Sequence, residues 1–297
     1  MTPKECYLRA GLIHQEVCNK IKPFVKPGVS FLELARKIES DIAKYQDASL
    51  AFPVNIQINN EVHYSPLPDD TRVLTKDDLV KVDIGVHING YIADGAFTVT
   101  FDKKYQDMVD FTEKVLKKTL TGLKPGMKIS EIGRRLDEQM QGSKYKIIRN
   151  LMGHQVQQWE LHSTKSVLVY EDPNSMSTME HGEAFAIEIF ITDGNGFIRS
   201  SPKAVIYAMK HTLMPVRDAK IKKLCLQIHD KRKTFPFSER YVVEHLKYSK
   251  VDFFSLKQSG NMMSYPLLVE RPGSKIAQFE DVIYIDKDDV IITTKQK

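Results

Sequence analysis

The sequence predicts an α+β fold of two pseudo-twofold-related halves, with a helical insertion in the second half. Three features predict it: an internal repeat at constant offset, strand-like segments after each copy, and a basic stretch without a first-half counterpart. The repeat comes first, because self-similarity reorganises every other assignment. Lys26-Pro27-Gly28 and Lys124-Pro125-Gly126 open two stretches that align without a gap at an offset of 98 residues. Phe31, Leu34, Ile38 and Ile42 answer Ile129, Ile132, Leu136 and Met140. Their i, i+3, i+7, i+11 spacing marks one face of a helix. Ser30 with Glu33 adds a capping-box pattern to the first copy. A further helix precedes each turn, through Leu8, Leu12, Val17 and Ile21 in one copy and Met108, Phe111, Val115 and Leu120 in the other. A shared turn and a shared helix phase favour duplication over a coincidence of Pro-Gly turns.

Strands are expected around 52–58 and 79–84 after the first copy, and around 147–152 and 184–191 after the second. Each half then reads helix, helix, strands, the order of an α+β unit. The chain of 297 residues is read as one domain over 1–297, with 203–270 as a helical insertion subdomain. Its helices are expected over 219–231 and 239–249.

An apolar content of 42% excludes a disordered chain, and 15 Gly with 3 Cys exclude a collagen or a disulfide framework. Cys6, Cys18 and Cys225 are odd in number and dispersed, which suits a reduced, cytoplasmic compartment. No apolar leader opens the chain, and no apolar run approaches the ~18 residues of a membrane span. The net charge of +5 is uneven, because residues 203–250 hold twelve Lys/Arg against four Asp/Glu. That stretch reads either as a nucleic-acid-binding face or, more plainly, as a helix surface solvated by lysines.

The segment 81–99 carries the chemistry. Asn89-Gly90 between alternating segments signals a two-residue hairpin, since its turn needs positive φ at both positions. Ile88 then pairs with Tyr91, Asp94 faces Gly85 and Asp83 faces Ala96. The aspartates become diagonal neighbours on one face, roughly 7–8 Å apart at Cα. The small Gly85 and Ala96 opposite them are expected to leave room between the carboxylates. Such a pair is either solvated or compensated by a cation or protons. Glu188 and Glu280 likewise interrupt apolar strands, where a lone carboxylate is costly. His154 follows Gly153; alone it would read as a satisfied core histidine. Together these five residues form an oxygen-rich set with one imidazole, suited to two divalent metals that activate water.

These residues resemble a family. Val82-Asp83-Ile84-Gly85 with Asp94, Gly153-His154 with His162, Ala186-Ile187-Glu188 and Ala277-Gln278-Phe279-Glu280 are similar to the motifs of type II methionine aminopeptidases. The resemblance covers essentially the whole chain and looks most like the short archaeal form. It implies the pita-bread fold around a dinuclear metal site, and cytoplasmic removal of the N-terminal methionine before a small second residue. It also implies that Asp94 and Glu280 bridge two divalent ions (Co, Mn, Fe or Zn), with Asp83 completing one site and His154 and Glu188 the other. Glu188 would shuttle the proton, His63 and His162 would contact the peptide, and Phe52 would line the methionine pocket. The partners implied are nascent polypeptide N-termini, met by a monomer without membrane association. A ribosome contact through Lys220, Lys222, Lys223, Lys231, Arg232 and Lys233 is the further expectation. Departures from the family pattern are Glu61-Val62 before His63, and Ile189 after Glu188. Two alternatives remain: a prolidase-like exopeptidase of the same fold, and a ribosome- or RNA-binding pita-bread protein without catalysis.

Overall fold

The computed structural model describes residues 1–295. The first half runs α1 (Pro3–Ile21), α2 (Phe31–Ile42), β1 (Ser49–Leu50), β2 (Asn55–Ile58), β3 (Glu61–Val62), β4 (Leu79–Ile88) and β5 (Tyr91–Thr100). The second begins alike, with α3 (Gln106–Leu120), α4 (Ser130–Met140), β6 (Lys146–Ile147), β7 (Gly153–Val156), β8 (Ser166–Val167) and β9 (Ala184–Thr192). It continues through β10 (Arg199–Met209), α5 (Ala219–Arg232), β11 (Phe237–Ser238), α6 (Lys250–Gln258) and β12 (Met262–Val269). The chain closes with β13 (Ile276–Ile285) and β14 (Val290–Ile292).

The duplication extends to individual bonds. Gly28 and Gly126 both take positive φ, 92° and 79°, as turns favour for a residue without Cβ. Gly28 N–H donates to Leu74 O and Gly126 N–H to Met179 O, each at 2.8 Å. Helices α2 and α4 bury the expected faces, and Ser30 caps α2 through the Glu33 N–H. In α1 the expected face is rotated: Leu12 is 46% exposed, while Tyr7, Ala10, Ile13, Val17 and Ile21 are buried.

Antiparallel strands build a ten-stranded sheet with the order β1-β4-β5-β13-β9-β7-β8, to which β2, β6 and β14 add. Strand β13 is the seam, pairing with first-half β5 on one side and second-half β9 on the other. The helices α1 to α4 and the sheet bury one continuous apolar core. Among the described residues, no helix is long and apolar enough to cross a membrane.

The insertion is less helical than its sequence reads. A second sheet, ordered β11-β10-β12-β3, forms one layer, and α5 and α6 pack on it. The helix expected over 239–249 is cut short: helical backbone runs from Glu239 to His245, π-helical from Tyr241, and α6 starts only at Lys250. Lys247 at φ 61° breaks the path, and Ser249 caps α6 in a box with Asp252. The structure takes Arg232 out of the six-residue basic patch. Arg232 is buried and donates to the carbonyls of Leu50, Ala51 and Pro236. Lys220 pairs with Asp252, and Lys233 with Asp230.

Candidate metal centre

The sheet register assembles the site. The Asn89-Gly90 turn sets Ile88 opposite Tyr91, which places Asp83 against Ala96 and Asp94 against Gly85. Ala96 lies opposite Glu280, and Glu280 directly opposite Glu188. One row across four strands therefore reads Asp83, Ala96, Glu280, Glu188. His154 enters from β7, where it pairs with Ala186, two residues before Glu188. Strand alternation turns neighbours such as Ile189 to the opposite face, where it is fully buried in the core.

All five lie on one cleft of about 500 Å³, with Phe52, His63 and His162 at the same walls. Asp94, His154 and Glu280 each offer a ligand atom, and these atoms lie within 4.8 Å of one another. His154 Nε2 is 4.0 Å from Asp94 Oδ2. Asp83, Asp94 and Glu280 are buried, and Glu188 keeps some exposure to the cleft. No Lys or Arg is among the lining residues.

The electrostatics follow from that composition. Burial, then the charges of Asp83 and Glu188, hold Asp94 well above the carboxylate range. Glu280 is raised by burial and then by Asp94, Glu188 and Asp83, while Gln278 opposes. Burial pushes Asp83 up to about 7, and burial with the Asp83 charge pushes Glu188 up to about 8. The histidines move the other way: burial, then His162, lowers His63 to about 4 and His154 to about 3. Four carboxylates in one cleft without a cationic side chain need protons or an external cation.

A metal fits here. Asp83 Oδ1, Asp94 Oδ1 and His154 Nδ1 are buried without any hydrogen-bond partner, as is Asn55 Oδ1 on the same cleft. Unsatisfied buried acceptors are rare and costly. Oxygen donors with one imidazole suit Mn, Fe, Co or Zn.

One sequence expectation about the cleft needs correction. The space opposite Asp94 is not open: a Cβ on Gly85 would stand 2.2 Å from the Phe52 ring, so Phe52 fills it. Glu61 and Val62, the departure before His63, do not line the cleft. They form the edge strand β3, paired with Val269 and Leu268; Val62 is buried and Glu61 bonds Arg72 at 3.0 Å. Asn55, Leu161, Ile206, Pro236 and Tyr265 complete the lining and were not singled out from sequence. Ile206, Pro236 and Tyr265 come from the insertion; the apolar run around Tyr265-Pro266 was the available signal.

Comparison with known proteins gives the family. The profile of metallopeptidase family M24 matches residues 5–231. A methionine aminopeptidase of Pyrococcus horikoshii is 34% identical over 97% of this chain and 98% of its own. Among solved structures, a thermophilic Arx1 superposes with a TM-score of 0.80 at 15% identity, covering 97% of this chain and 89% of that one. A methionine aminopeptidase from Thermotoga maritima does so at 0.71 and 20%, covering 100% and 98%; both likenesses concern the fold alone. Matched by its profile and by a full-length relative, the chain belongs to metallopeptidase family M24.

Proposed function

We propose that the protein is a type II methionine aminopeptidase, removing the N-terminal methionine from nascent polypeptides whose second residue is small. One observation carries the reading: four carboxylates and an imidazole converge on one cleft without a cationic side chain. In this reading Asp83, Asp94, His154, Glu188 and Glu280 would hold two divalent cations. When bound, the cations supply Lewis-acid activation of water and of the peptide carbonyl. Glu188, the carboxylate still partly open to the cleft, takes the proton of the attacking water and passes it to the departing amine. His63 and His162, held below the ordinary imidazole value chiefly by desolvation, stay neutral and donate N–H bonds to the carbonyl oxygen as charge develops there. Phe52, Leu161, Ile206 and Pro236 supply an apolar wall for the methionine side chain.

The test is hydrolysis of three peptides with Mn²⁺ or Co²⁺ added. Met-Ala-Ser is cleaved, while Met-Lys-Ser and Ala-Pro are not. Cleavage of Ala-Pro alone would make it prolidase-like, and no cleavage at all would make it a binding protein.

A ribosome contact belongs to the same reading, for a monomer in the cytoplasm. It is supported by a groove on the insertion lined by Lys222, Lys223 and Lys247 beside Leu226 and Tyr248. Phosphate contacts there weaken steeply with salt, because each releases a counterion. Co-sedimentation with ribosomes at two salt concentrations, for wild type and the three Lys→Glu changes together, tests it. Equal pelleting of both proteins would reject the contact.

A further inference from the structure

A buried chain of hydrogen bonds joins the two sides of the cleft through residues outside the ligand set. His63 has φ of 63°, a left-handed conformation strained for a non-glycine residue. Its backbone N–H donates to Gln57 Oε1 at 2.7 Å. A backbone N–H only donates, so this bond fixes which end of the Gln57 amide faces His63. Gln57 Nε2 then donates to Gln278 Oε1 at 3.3 Å. Gln278 is left with its Nε2 toward Asp83 Oδ2 and Glu280 Oε2, each at 3.3 Å. Gln57 is wholly buried and Gln278 is 1% exposed, so water does not replace either amide. Both stand on strands: Gln57 in β2, paired with Lys81, and Gln278 in β13, two residues before Glu280. One peptide N–H thus orients two amides in series, and the last of them gives both its protons to two carboxylates that repel each other.

We propose that Gln57 and Gln278 are positioning residues that couple the placement of His63 to that of Asp83 and Glu280. The peptide side and the cation side of the cleft are then set as one unit. The catalytic consequence rests on the aminopeptidase reading; the coupling itself is a property of the folded chain.

Three variants test it: Gln57→Met, Gln278→Met and the double, which keep bulk and remove the polar ends. Thermal melts followed by circular dichroism establish which are folded. The first readout needs no metal. Amide-proton exchange at His63 accelerates at least tenfold in Gln278→Met as well as in Gln57→Met, although Gln278 does not touch His63. The second is Mn²⁺ affinity by calorimetry, which falls about tenfold in Gln278→Met, the size expected for a partner of a ligand. It falls severalfold in Gln57→Met, and the double variant matches the worse single within about twofold, because groups that act together are not additive. If Gln278→Met does not fold, Gln278→Leu, which also removes the acceptor of the Gln57 amide, gives the same exchange result. Unchanged His63 exchange in the Gln278 variant, or affinity losses that multiply in the double, overturns the proposal. A wild type that binds no Mn²⁺ refutes the enzyme reading, and His63 exchange still decides the coupling.

Discussion

Glu188 stands directly opposite Glu280 across β9 and β13, whereas Asp83 and Asp94 are only diagonal neighbours across β4 and β5. The two halves are therefore related by duplication but not by register. Like charges directly opposed on a sheet destabilise it, so the second half holds the sharper conflict. A cation held between these strands would be a structural element as well as a chemical one.

Divalent metal is accordingly expected to raise the melting temperature. At a concentration about 100 times the dissociation constant, the folded state gains about 2.7 kcal/mol. In Glu280→Gln the metal-free protein melts no lower than wild type, because a neutral amide replaces a carboxyl whose charged form burial and its neighbours disfavour, while the gain on adding Mn²⁺ shrinks. Scanning calorimetry in EDTA and in Mn²⁺ checks both.

Asp94→Asn is expected to abolish hydrolysis of Met-Ala-Ser and to lower the bound metal from two ions per chain. Elemental analysis after dialysis measures it. A variant with unchanged stoichiometry and full activity would exclude Asp94 as a shared ligand.

Gly85→Ala addresses the methionine pocket. Its Cβ would meet the Phe52 ring at 2.2 Å, which forces the ring to move at a cost of about 1–3 kcal/mol. KM for Met-Ala-Ser rises, while Mn²⁺ affinity stays near wild type because no ligand moves. Steady-state kinetics beside calorimetry separate the two.

Acid lability is expected from His87. Its Nδ1 accepts the Gly90 N–H at 3.1 Å, and its ring packs on Trp159 and Phe235. Burial, then the Arg232 charge, pushes its pKa down to about 3, against about 6.5 in the unfolded chain. Between those values the unfolded chain binds a proton that the folded chain refuses, so stability falls as pH drops below about 6.5. From pH 7 to pH 5 this one residue costs about 2 kcal/mol. Urea midpoints at the two pH values show a smaller difference in His87→Gln than in wild type.

Arg240 ties the insertion to the first half. Its guanidinium is 1% exposed, bonds both oxygens of Glu39 and donates to Pro66 O at 2.9 Å. Arg240→Met strands the Glu39 charge and is expected to cost about 3–5 kcal/mol. Adding Glu39→Gln recovers much of that loss, read as the urea midpoint of the double variant.

Much of this was legible in the sequence where physics is local. The Asn89-Gly90 turn fixed ten cross-strand pairs, because a two-residue loop leaves one register. The repeat was legible because turn and helix phase recur together. What escaped reading depends on contacts distant in the chain. Leu12 sits at a helical spacing that suits burial, yet tertiary packing rotates α1 past it. Gly85 looked like open space until Phe52, more than thirty residues upstream, filled it. The insertion's lysine-rich composition suggested helix, but its strands β10 and β12 pair across more than fifty residues.

The seam strand β13 sets an order of events. First-half β5 and second-half β9 acquire their common hydrogen-bonded neighbour only through Ile276–Ile285, near the end of the described chain. Such long-range pairing is slow to form, because loop closure precedes any gain from contact. During synthesis from the N-terminus, Asp83, Asp94, His154 and Glu188 are all made before the residue that draws them together. Until β13 docks, the two halves of the sheet lack their shared neighbour, and Glu280 enters the cleft with that strand. In this chain the last-made carboxylate of the cleft travels on the strand that joins the halves, so closing the sheet and completing the cleft are one event.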